Sequence, residues 1–164
     1  DLHLSLRRQR QMCIRDRHKD EFNVLIQGFR YFNVYGPGEN EKGNQASPYT
    51  KFTKQAKEDG VIKVFQLSDH YKRDFVCVED ICKVHEKMLT VDASDIYNVG
   101  TGVAESFETV AQTIAKKYNA RIRYIPIPHN IKSQYQKYTR ANLDKLNSVI
   151  DMQWINIKDY INAN

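Results

Sequence analysis

The chain has 164 residues, 41% of them hydrophobic and 27% charged, the composition of a globular protein with a real core. Seven glycines and four prolines exclude collagen-like and low-complexity chains, and no apolar run approaches the ~20 residues of a membrane helix. Residues 1–17, with five arginines against two aspartates, supply three of the five surplus positive charges, so the nearly neutral remainder argues against a nucleic-acid partner.

The run from Arg7 to Arg17 has no clean period and no capping signal. It resembles the peptide read from translated sequencing-adapter DNA, so we expect residues 1–17 to be non-native, with the true chain starting near His18 and an upstream portion missing. The leader is Arg-rich and carries no apolar stretch of the secretory kind. Cys13, Cys77 and Cys82 are too few for a disulfide framework. Together these favour a reducing cytoplasm.

Val24–Ile26 and Phe29–Val34 predict a strand, closed by the Gly36-Pro37-Gly38 turn. A polar loop follows through Glu39–Ser47. Ser47 as N-cap and Pro48 at the first helical position predict a helix to about Asp59, stopped by Gly60. Val61–Leu67 alternates as a strand, with Ile62, Val64 and Gln66 on one side, and Ser68–Lys72 reads as a loop. Phe75–Val78 is a short apolar strand. The next helix carries Glu79 and Asp80 in its first turn and Ile81, Val84, His85 and Met88 on one face. Ile96–Val99 is a buried strand ended by Gly100-Thr101-Gly102. Phe107, Val110, Ala111 and Ile114 are spaced for a helix over 106–118. Arg121–Ile127 alternates, and Ala141–Ser148 and Ile155–Ile161 read as terminal helices. Strands alternating with helices predict an α/β fold.

Common chemistry motifs are absent from the sequence: no phosphate loop, no HExxH, no CxxC, and no metal-ligand spacing, so no metal is expected. What stands out is an ordered set of segments. They are Arg30-Tyr31-Phe32-Asn33-Val34-Tyr35-Gly36-Pro37, Lys42-Gly43, Lys72-Arg73-Asp74-Phe75-Val76, Tyr97-Asn98-Val99-Gly100-Thr101-Gly102 and Tyr124-Ile125-Pro126. Together they resemble the C-terminal half of the extended short-chain dehydrogenase/reductases that act on nucleotide sugars. Ala46-Ser47, Ala104-Glu105-Ser106-Phe107 and Tyr135-Gln136 followed by Thr139 narrow the resemblance to the ADP-L-glycero-D-manno-heptose 6-epimerase family, from about Phe22 to Leu146.

The resemblance implies the end of a Rossmann-type nucleotide domain with a smaller α/β substrate domain. Residues 18–33 would finish the nucleotide domain, 34–74 would enter the substrate domain, 75–102 would return, and 103–164 would complete the substrate domain and terminal helices. It implies NADP as cofactor, ADP-heptose as substrate, a cytoplasmic location and a homo-oligomer at full length. The chemistry is inversion at C6 through a transient ketone, which asks for two acid/base groups, one on each face. Lys42 matches one of them, and also a cofactor contact. A lysine serves there if burial or a nearby cation draws its pKa towards neutrality. Val34 matches a second cofactor contact. Asn33, Asn44, Lys51, Phe65, Gln66, Leu67, Ser68 and Tyr135 match substrate contacts, and Arg73 an arginine suited to the diphosphate.

The pattern breaks upstream. The family's Tyr-x-x-x-Lys falls on Leu4 and Arg8, which are the wrong residue types, and no glycine-rich dinucleotide turn is present. The 164-residue chain alone is therefore expected to be inactive, to bind NADP poorly and to expose apolar faces. Two other readings stand beside this one: a nucleotide-sugar 4-epimerase or dehydratase of the same superfamily, and a non-catalytic basic binding module recruited through the Arg-rich leader.

Overall fold

The computed structural model describes residues 24–128 and 136–164. The Arg-rich leader, Leu4, Arg8, Cys13, His129 and Tyr135 lie outside the described residues. In chain order the elements are β1 (Gly28–Tyr31), β2 (Asn33–Tyr35), a 3₁₀ segment (Asn40–Gln45), α1 (Pro48–Asp59), β3 (Val61–Phe65), β4 (Lys72–Cys77) and α2 (Val78–Met88). They continue with β5 (Ile96–Val99), β6 (Ala104–Ser106), α3 (Phe107–Tyr118), β7 (Arg121–Ile125), α4 (Asp144–Asn147) and α5 (Ile157–Ala163).

Local signals place most of these. Ser47 caps α1 by accepting from the Thr50 N–H at 3.3 Å, and Gly60 closes the helix in the left-handed region at φ 64°. Ser106 caps α3 through the Thr109 N–H at 2.9 Å, and Asn156 caps α5 through the Lys158 N–H at 2.9 Å.

Three small sheets result. β1 pairs with β5 in parallel, β2 pairs with β4 in parallel while β4 pairs with β6 antiparallel, and β3 pairs with β7 in parallel. The strand predicted over Val24–Ile26 and Phe29–Val34 is thus two strands, and residues 24–27 lie before both. The chain crosses from one sheet to the next at Phe32, whose N–H still donates to the Val99 carbonyl at 3.0 Å. Other expectations shift for similar reasons. β3 stops at Phe65, because Leu67 turns at φ 63°. β4 starts three residues early, at Lys72, because it gains β6 as a partner. The helix expected over 141–148 shrinks to Asp144–Asn147, and the last helix runs over Ile157–Ala163.

Two apolar clusters hold the fold. One joins Tyr35, Ile62, Val64, Phe75, Cys77, Val110, Ile114, Ile157 and Ile161. The other joins Val84, Met88, Tyr97, Val99, Ala141, Leu143, Leu146 and Ile150, so residues 141–150 pack on β5 and α2. Fully burying one such side chain stabilises by roughly 1.5–3 kcal/mol. Val24, Leu25 and Tyr31 leave apolar surface exposed along and before β1.

Candidate functional site

Where the two clusters meet, a carboxylate takes the place of apolar packing. Asp74 is fully buried on β4. Its Oδ1 accepts from the Thr101 N–H at 2.7 Å and the Thr101 hydroxyl at 2.8 Å. Its Oδ2 accepts from the Gly102 N–H at 2.9 Å and the Ala141 N–H at 3.0 Å. Four donors offset the desolvation of the charge. A Cβ at Gly100 would meet Asp74 Oδ2 and Ala141 Cβ, each at 2.8 Å, so the turn must be glycine. Arg-Asp-Phe-Val and Gly-Thr-Gly are therefore two halves of one knot, a contact that neither segment announces alone.

Lys42 sits in the 3₁₀ segment, which breaks helical geometry at Gly43. Its ammonium is half exposed and lies 3.5 Å from Glu39 Oε1. Among the described residues, its ion pair is with that buried carboxylate. Glu39 is the buried partner here, at 4% exposure. It accepts from the Ser47 N–H at 3.0 Å, the Ser47 hydroxyl at 2.5 Å and the Thr50 hydroxyl at 2.6 Å. Burial alone would raise its pKa. The hydrogen bonds from Ser47 and Thr50, with the charge of Lys42, outweigh that and hold it below the ordinary range.

Asn33 and Val34 lie at the sheet crossing, paired in register with Phe75 and Val76. Asn44 offers its carbonyl to Lys51 Nζ at 2.7 Å. The Gln66 N–H donates to the Ile125 carbonyl at 2.8 Å, and Leu67 is exposed. Lys51, Phe65 and Ser68 share a cavity of about 320 Å³, whose walls include Phe52, Tyr71, Phe107 and Ile125. Arg73 stacks its guanidinium over the Phe107 ring, 5.5 Å from the centroid, beside that wall. The structure thus brings Lys51, Phe65 and Ser68 together on one cavity, while Arg73 is not among its lining residues and meets it only through the Phe107 ring. The contacts of Lys42 lie within the 39–47 loop.

Sequence reasoning missed Glu108, the first-turn acid of α3. Ser68 donates to its Oε2, and the Tyr124 hydroxyl donates to Oε1 at 2.5 Å. It missed the burial of Asp74, whose donors lie up to 67 residues away, and that of Glu39, whose donors lie within 11 residues in a loop without a periodic pattern. No group of three metal-ligating side chains is found among the described residues, and no helix among them is long and apolar enough to cross a membrane.

Val34 and Lys42 are the residues that match cofactor contacts in the family resemblance. Val34 is fixed in β2, and Lys42 is turned to Glu39. No glycine-rich dinucleotide turn occurs among the described residues.

Parallel strand pairs flanked by helices make a mixed α/β fold of the kind found in Rossmann-type extended α/β proteins. Residues 10–100 match the NAD dependent epimerase/dehydratase family, more than half of the chain, and the chain belongs to that family. Among solved structures it is similar to the ADP-L-glycero-D-manno-heptose-6-epimerase of Helicobacter pylori, with 26% identity and a TM-score of 0.79, covering 93% of this chain and 47% of that one. It also resembles the UDP-glucose 4-epimerase of Thermotoga maritima determined with UDP-glucose, with 18% identity and a TM-score of 0.76 over 92% of this chain and 47% of that one. A third is RMD of Pseudomonas aeruginosa complexed with NADPH, with 17% identity and a TM-score of 0.70 over 90% and 49%. The chain spans about half the length of these proteins.

Proposed function

We propose that the chain is the sugar-nucleotide-holding part of an NADP-dependent epimerase that inverts C6 of ADP-D-glycero-manno-heptose. The observation that carries this reading is the meeting of Lys51, Phe65 and Ser68 in one cavity with Arg73 over its Phe107 wall. In this reading Arg73 grips the diphosphate, since a planar, always-charged fork suits it. Phe65, Gln66, Leu67 and Ser68 border the nucleotide. Asn33, Asn44, Lys51 and Tyr135 face the sugar. Lys42 moves the hydroxyl proton, which requires its release from Glu39 when substrate arrives. The partner is a small molecule rather than nucleic acid or membrane, the location is cytoplasmic, and the full-length form is a homo-oligomer. The division at residues 33, 74 and 102 belongs to the same reading.

The test is competitive binding to the chain. ADP-heptose is expected to bind at least tenfold tighter than UDP-glucose, and Arg73→Ala to weaken it about tenfold, the loss expected for one charge-assisted contact. Equal or tighter binding of UDP-glucose would favour a 4-epimerase or dehydratase of the same family. In a version extended to the relatives' full length, Lys42→Ala is expected to stop epimerisation while leaving ADP-heptose binding within about twofold.

A further inference from the structure

β3 and β7 make a two-stranded sheet, so β7 has an unpaired outer edge among the described residues. The ladder fixes which groups lie on that edge. The Arg121 N–H donates to the Gly60 carbonyl at 2.9 Å, and the Gln66 N–H donates to the Ile125 carbonyl at 2.8 Å. Arg121, Arg123 and Ile125 therefore turn their main-chain groups to β3, and Ile122 and Tyr124 turn theirs outwards. An open edge of this kind is a template for a further strand.

The side chains restrict which strand can pair there. They alternate between the two faces of β7. Tyr124 faces α3, where its hydroxyl donates to Glu108 Oε1 at 2.5 Å. Arg121 and Arg123 lie on the other face together with Lys63 of β3, the direct register partner of Arg123. All three are exposed, and none takes part in an ion pair among the described residues. Like charges directly opposite one another destabilise a sheet, and a counter-charge offsets that. Alternate residues of a strand stand about 7 Å apart, so Arg121 and Arg123 match carboxylates at alternate positions of a second strand. A nucleic acid would meet the cations but leave the main-chain row unpaired. We propose that the β7 edge docks an extended acidic segment of a partner protein. The main chain of that segment pairs with Ile122 and Tyr124, and its carboxylates face Arg121 and Arg123. The same arginines turn away uncharged and basic strands. The inference goes beyond the proposed function and does not rest on it, and neither arginine lines the cavity.

The test is fluorescence anisotropy of the 164-residue chain with a labelled octapeptide in which glutamate and threonine alternate. Two further peptides separate the contributions. One has the same sequence with every amide N-methylated, which keeps the charges and removes the donors. The other has lysine in place of glutamate. The first peptide is expected to bind about tenfold tighter than either, the effect of a few main-chain hydrogen bonds or of the reversed charges. Arg121→Gln combined with Arg123→Gln is expected to weaken it about tenfold, since each exposed pair contributes little alone. That double variant removes a like-charge pair and is expected to keep or raise the thermal midpoint. Lys116→Gln combined with Lys137→Gln makes the same change of net charge elsewhere and is expected to hold binding within about twofold. Amide NMR shifts are expected at Ile122 and Tyr124. No binding of the alternating peptide overturns the proposal. So do equal binding of the N-methylated peptide, equal losses in the two double variants, shifts confined to another surface, and tighter binding of an eight-nucleotide oligothymidylate.

Discussion

Asp74 and Glu39 are both buried carboxylates on the borders of the candidate site, and they are built differently. Asp74 receives three backbone N–H groups and one hydroxyl, from segments 27 and 67 residues away. Glu39 receives one backbone N–H and two hydroxyls from within 11 residues, with a half-exposed lysine beside it. Backbone donors cannot turn away, whereas hydroxyls can rotate and a surface ammonium can leave. The Asp74 knot therefore fixes how the two apolar clusters meet. The Glu39 loop is local and adaptable, as the proposed release of Lys42 requires.

Breaking the knot is the harshest test of that contrast. In Asp74→Asn, either orientation of the amide points donor hydrogens at a backbone N–H. The expected loss is about 3 kcal/mol in denaturant unfolding. A loss under ~1 kcal/mol would mean the knot is not a fixed acceptor site. Gly100→Ala presses a methyl group on the same carboxylate and on Ala141. It should cost about 2 kcal/mol, and Gly102→Ala about as much, since its added Cβ meets Leu143 at 3.2 Å on a left-handed backbone at φ 74°.

Glu39→Gln is expected to cost only about 1 kcal/mol, because the hydroxyls of Ser47 and Thr50 can re-aim. Its clearer signature is pH dependence. The folded Glu39 pKa is depressed, so its stabilisation is present above the ordinary value of 4.5 and is lost as pH falls through the lower folded value. The unaltered chain should lose stability along that acid limb, and Glu39→Gln should flatten it. An unchanged acid limb would show that Glu39 is not the group responsible. Lys42→Ala should move stability by less than ~0.5 kcal/mol, since an exposed pair contributes little.

The same contrast explains what the sequence disclosed. Ser47, Pro48 and Gly60 marked both ends of α1, because caps act within a turn of the residue that makes them. The break at Phe32 was hidden, since it depends on β5 and β4 arriving from much later in the chain. Leu67 turns with positive φ without a glycine to signal it. β6 is three residues long, too short for any alternation to show. Within the site, residue types pointed to Arg73 and Lys51 through a family pattern. The acceptor role of Glu108 depends on Ser68 lying 40 residues before it, a relation no local spacing encodes.

The central claim is that the aromatic-walled cavity beside Arg73 holds the nucleotide of a nucleotide sugar. Amide NMR of the chain titrated with ADP-heptose tests it most directly. The account predicts shifts concentrated at Lys51, Phe65, Ser68, Arg73 and Phe107. Shifts confined to the smaller cavity lined by Trp154 and Glu105, or none at saturating ligand, would contradict it.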